Sequence, residues 1–140
     1  MKNLKWLLVP VVVLVSFVAY GQLLSLLAEI FPIPEDKSNL SYVLMMVSLP
    51  SFLASVTVSS FVAYFLAFVF KQKATLVSVL VPLPVLFFSL PEFSDFQSPS
   101  TGTLVVMYEV FTYSTLIIAG TWLAHRQLAG SNPTVKRDAP

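Results

Sequence analysis

The sequence predicts an all-α integral membrane protein, a four-helix bundle with both termini on the cytoplasmic side. Three observations predict it. The chain has 140 residues, of which 56% are hydrophobic and only 11% charged. Its mean hydropathy is +0.83, whereas a soluble domain of this size needs more charge to cover its surface. The apolar residues also form four long blocks rather than stripes, the pattern of a chain solvated by lipid. Finally, seven of the eight basic residues fall on one side of the membrane if each block crosses it once.

The first block runs from Trp6 to about Phe31 and is uncharged until Glu29. Lys2 and Lys5 precede it, as in a secretory signal, and Ala19-Tyr20-Gly21 has the small-residue pattern of a cleavage site. The apolar run continues ten residues beyond Gly21, too long for a signal's hydrophobic region. The expectation is a retained signal-anchor helix.

The second block, Tyr42 to Phe70, carries no charge. As a helix it measures roughly 43 Å, against about 30 Å of hydrocarbon. An overlong span tilts, kinks or extends into the headgroups, and Pro50 is the expected kink. The third block, Ala74 to Leu90, is short and holds Pro82 and Pro84 near its middle. Prolines so close predict a distorted helix whose freed carbonyls need another partner. The fourth block runs from about Leu104 to Ala124 and contains Glu109. The bundle is expected over 1–126, followed by a mobile polar tail over 127–140, where Gly130 and Pro133 break any helix.

Orientation follows from charge. Lys2 and Lys5, Lys71 and Lys73, and Arg126, Lys136 and Arg137 share one side, leaving Lys37 on the other. This bias predicts N-in/C-in topology and suits a bacterial inner membrane. Trp6 and Trp122 then mark the inner interface, with Tyr42, Phe93 and Phe96 at the outer one. The outer loops are Pro32 to Ser41 and Pro91 to Gly102. Ser38, Asn39 or Ser41 is expected to cap the second helix, which also accounts for the formal glycosylation sequon at Asn39. Pro34-Glu35 and Pro91-Glu92 give the two halves a faint likeness that ordinary turn chemistry explains.

Composition removes several function classes. There is no cysteine, and so no disulfide, thiolate metal site or thiol redox centre. One histidine excludes a multi-histidine metal or haem site within the chain. A net charge of +1 with no basic run gives no reason to expect nucleic acid. No cofactor is implied. The outer acids Glu35, Asp36, Glu92 and Asp95 read as solvated loop charge, since they lack the spacing of a metal motif. His125 beside Arg126 suits the C-terminal end of a helix dipole. It lies across the bilayer from Glu29 and Glu109, so no Ser-His-acid triad assembles and no enzyme is expected.

Two features carry the functional expectations. Ser51, Ser55, Ser59, Ala63 and Ala67 recur every four residues in the second helix. Such a small-residue stripe lets two backbones approach closely, either within the bundle or against another subunit. Glu109 is the other feature, roughly 8 Å inside the outer end of the fourth helix. Thr112 and Tyr113 share its face. On the first helix Gln22, Ser25 and Glu29 form a polar stripe at the same depth. If these helices touch, the six residues make an outer-leaflet patch. It is read as a structural hydrogen-bonded acid, as a dock for a partner helix, or as a proton- or cation-linked site. The first expectation for function is a membrane interaction protein, an accessory, assembly or immunity-type subunit. Its partner would be another membrane protein or a second copy. The alternative is a small oligomeric transporter or flippase using the acidic site.

Overall fold

The computed structural model describes residues 4–31, 40–91 and 101–130. Side chains are described except at 4, 40–47, 101 and 102. Among the described residues every element is helical and there is no strand. After a 3-10 turn over Leu4–Leu7, α1 spans Leu8–Ile30 and α2 spans Leu40–Phe70. A second 3-10 turn, Lys71–Lys73, leads to α3 over Ala74–Ser78 and α4 over Leu83–Ser89, and α5 spans Thr101–Gly130.

Three stretches are long and apolar enough to cross a membrane: Lys5–Ile30, Ser48–Ser89 and Thr103–Gly130, with mean hydropathies of 2.3, 2.0 and 1.5. The middle stretch is not one straight rod. Lys71 adopts φ 49°, the left-handed region, and the chain reverses there. Trp6 consequently contacts Phe70 at 6.3 Å between ring centroids and lies under the Lys73 ammonium at 5.3 Å.

Side-chain pairs fix the directions of the long helices. Lys5 donates to the Val69 carbonyl at 3.3 Å, and Tyr20 bonds Ser51 at 3.2 Å, so α1 and α2 run antiparallel. Ser51 lies beside Glu109, a Cβ at Gly120 would stand 3.4 Å from that of Ala63, and the Tyr64 hydroxyl donates to Gln127 Oε1 at 2.8 Å. These pairs advance together along both helices, so α2 and α5 run parallel. The chain between them must return to the starting end, and α3 and α4 make that return. Phe88 of α4 stacks on Phe17 of α1 at 5.4 Å.

Where the sequence predicts one distorted helix over 74–90, the chain instead forms two short helices around a turn at 79–82. The prolines explain the break. Neither has an N–H to continue a ladder. Pro82 stands immediately before α4 and Pro84 lies in its first turn, where a missing N–H costs nothing. Hydrogen bonds from Leu80 N to Val77 O and from Leu83 N to Leu80 O carry the chain through the turn at 3.0 and 3.3 Å. Pro50, by contrast, lies inside α2 and is buried. Helix α5 continues to Gly130, past the expected start of the tail at 127. Of the two expected loops, residues 32–39 (with Asn39) and 92–100 lie outside the described residues, as does the tail from 131 on with Pro133. Leu40 and Ser41, expected in the first loop, begin α2, and Thr101 and Gly102, expected in the second, begin α5.

The core forms where α2 meets its neighbours. Ala54, Val58, Leu66 and Phe70 of α2 join Val77, Val81 and Val85 of the return segment and Val110, Tyr113 and Ile117 of α5. Helix α1 contributes less: within it only Val9, Ser16 and Tyr20 are buried.

Candidate functional site

The small-residue stripe is spent inside the chain. Ser51, Ser55, Ser59, Ala63 and Ala67 are each at most 4% exposed. Opposite them α5 buries Val110, Tyr113, Ile117, Thr121 and Ala124, spaced three and four apart as one helix face requires. Gly120 and Ala63 approach closely, with an added Cβ at Gly120 only 3.4 Å from that of Ala63, and larger side chains there would hold the helices apart. Only one stripe serine is seen bonding to another helix. Ser51 meets Tyr20, while Ser59 donates to Val56 O in its own helix at 3.2 Å. Thr57, Ser60, Ser78, Ser89 and Thr121 also turn back onto carbonyls three or four residues earlier. In apolar surroundings no outside partner competes, so an internal carbonyl is the natural acceptor.

The polar groups that do converge lie where α1, α2 and α5 meet. Tyr20 is 5% exposed and its hydroxyl shares a hydrogen bond with Ser51. Ser51 adjoins the half-buried Glu109, which lies within electrostatic reach of Tyr20. One helical turn deeper, the Tyr113 ring packs against Tyr20 at 4.4 Å between centroids. Tyr113 is completely buried and lies beside Ser16. Ser16 however donates to Val13 O at 3.0 Å. The hydroxyls of Tyr113, Ser55 and Ser114 are buried and have no hydrogen-bond partner. Each such group costs about 1–3 kcal/mol when left unpaired.

This cluster differs in membership from the patch expected on the sequence. Glu109 and Tyr113 belong to it, and Thr112 is half-buried beside them on α5. Gln22, Ser25 and Glu29 are not brought to Glu109; all three are exposed. The α1 residues that turn inward are Val9, Ser16 and Tyr20, and Tyr20 occupies the position expected of the Gln22 stripe. A signal for this existed: Ser16 and Tyr20 are polar, four residues apart and share one helix face within an apolar run. In the sequence Tyr20 stands out only for its cleavage-like neighbours Ala19 and Gly21.

The cluster suits holding a proton or a small polar guest, since it offers one carboxyl and several hydroxyls. Among the described residues no three His, Cys, Asp or Glu side chains gather to hold a metal ion. A concavity lies beside this cluster. It is an apolar groove of about 620 Å³ between α1 and α2, with Val15, Ala19, Val58, Phe61 and Phe65 in its walls and Ser16 in its lining. Comparison with protein-family models, with curated proteins and with solved structures finds no match. The residues themselves therefore carry the functional reading.

Proposed function

We propose that this chain is a small polytopic membrane interaction protein, an accessory, assembly or immunity-type subunit of a membrane complex. In this reading the return segment through α3 and α4 counts as a fourth, broken crossing. Both termini then lie on the cytoplasmic side of a bacterial inner membrane. The supporting observation is how little of α1 the chain itself covers. Leu14, Val15, Val18 and Leu26 are all more than half exposed, beside a groove with narrow valine and alanine walls on α1. A partner helix can approach such a surface closely. The stripe on α2, the other expected contact surface, is already occupied by α5. Extraction in a mild detergent followed by affinity purification tests the reading. A stoichiometric membrane partner or a homo-oligomer is the expected result. A strictly monomeric, partner-free particle from its native membrane contradicts it.

A second reading, a small transporter or flippase using a protonatable acid, is favoured by one specific observation. Half-buried Glu109 lies beside Ser51 and within electrostatic reach of Tyr20. An ionised carboxylate is costly at membrane depth, so protonation or a bound cation relieves it. Under this reading Glu109→Gln is expected to lower proton-coupled flux in proteoliposomes at least tenfold while the protein stays folded. Unchanged flux removes transport through Glu109.

A further inference from the structure

The reversal between α2 and α3 gathers three lysines and a tryptophan at one corner. Two of the lysines are engaged within the chain. The Lys5 ammonium donates to the Val69 carbonyl, complementing the negative end of the α2 dipole. The Lys73 ammonium lies over the Trp6 ring. Lys71 is exposed, and among the described residues its side chain meets no acceptor. It is also the sole non-glycine residue with positive φ among the described residues, at 49°. Glycine takes that conformation freely, whereas a residue with a Cβ is strained there. A lysine thus occupies a position where the backbone alone favours glycine.

Among the described residues no carboxylate balances this charge. The described acids are Glu29, near the far end of α1, and Glu109, beside Ser51. The corner also marks the start of an apolar crossing, with Trp6 41% and Leu7 67% exposed beside it. A cationic corner at the edge of a hydrocarbon-facing surface complements a molecule with an anionic head and an apolar body.

We propose that the Lys71–Lys73 corner holds the phosphate of an anionic phospholipid, with Trp6 against the upper part of its acyl chains. Lys71 is the residue that selects the headgroup, and its left-handed backbone is retained because the ammonium is needed there. The site is independent of which function the chain serves and of its orientation.

The test uses the full chain in delipidated detergent micelles, with bound lipid counted by native mass spectrometry. Dioleoyl phosphatidylglycerol and dioleoyl phosphatidylcholine are the two probes. The wild type is expected to prefer the glycerol lipid. Lys71→Gln and Lys73→Gln are each expected to weaken that lipid about fivefold, the scale of one basic residue at an anionic surface. Binding of the choline lipid stays the same, and Lys71→Arg retains the preference. Lys71→Gly is the sharpest variant. It is expected to raise the unfolding temperature by relieving strain, yet to lose the same preference. Equal binding of both lipids by the wild type overturns the proposal, as does a Lys71→Gly chain that binds phosphatidylglycerol as tightly as the wild type. Displacement of the lipid by millimolar inorganic phosphate would assign the corner to a free anion and overturn the lipid reading.

Discussion

Replacing Ala63 by leucine is expected to open the α2–α5 seam and destabilise the chain by about 1–3 kcal/mol, the cost of overpacking a well-filled site. Ala63 is 2% exposed and faces Gly120, where an added Cβ would already stand 3.4 Å away. Three more carbons at this buried contact must displace their neighbours. The helices must separate, and the contacts on both sides of the pair loosen with them. Gly120→Ala is expected to cost far less, because 3.4 Å lies at the near edge of ordinary contact. Phe61→Leu supplies the control, since Phe61 is 77% exposed and such positions change stability by no more than about 0.5 kcal/mol. Thermal unfolding of the purified protein in detergent, followed by circular dichroism, ranks the three. Equal effects of Ala63→Leu and Phe61→Leu would mean that this face of α2 is not packed.

Tyr113 carries the second large effect. Among the described residues it is the largest completely buried side chain, and it joins the ring of Tyr20 to the α5 core. Tyr113→Ala is expected to cost about 3–5 kcal/mol, as for other buried aromatic truncations. Tyr113→Phe has the opposite expectation. It keeps the ring and removes a hydroxyl with no hydrogen-bond partner, so stability is unchanged or rises by about 1 kcal/mol. The two variants therefore separate packing from polarity at one position. A loss above about 1 kcal/mol for the phenylalanine variant would show that the hydroxyl has a partner in the membrane.

Much of this architecture is legible in the sequence because long apolar blocks make the code coarse. Uninterrupted apolar runs fix the long helices, and α2 at Leu40–Phe70 lies close to the block expected from Tyr42. The small-residue stripe is legible for the same reason, since four-residue spacing keeps one face of the helix narrow. Its partner is not, because any helix with a glycine or alanine at the right depth fits it. Position 120 acquires meaning only once α2 and α5 are known to run parallel. The break at 79–82 was also hidden. Two prolines announce a distortion, yet whether a helix bends or restarts depends on what receives the freed groups. The α1 polar face shows a third limit. Gln22, Ser25 and Glu29 form the more polar stripe, and lipid-facing helices normally turn such residues inward. These lie toward the C-terminal end of α1, where they remain exposed, and the more modest pair Ser16 and Tyr20 is buried instead.

The central structural claim is that the small-residue face of α2 is covered by α5 of the same chain. The chain has no cysteine, so a paired substitution gives an unambiguous report. Ala63→Cys with Gly120→Cys places two thiols on Cβ atoms 3.4 Å apart, close to the spacing of about 3.5–4.5 Å that a disulfide requires. Mild oxidation in native membranes, read by non-reducing electrophoresis and mass measurement, is expected to give an intramolecular disulfide in the monomer. Oxidation that yields only disulfide-linked dimers would contradict the account, because the face would then belong to an interface between chains.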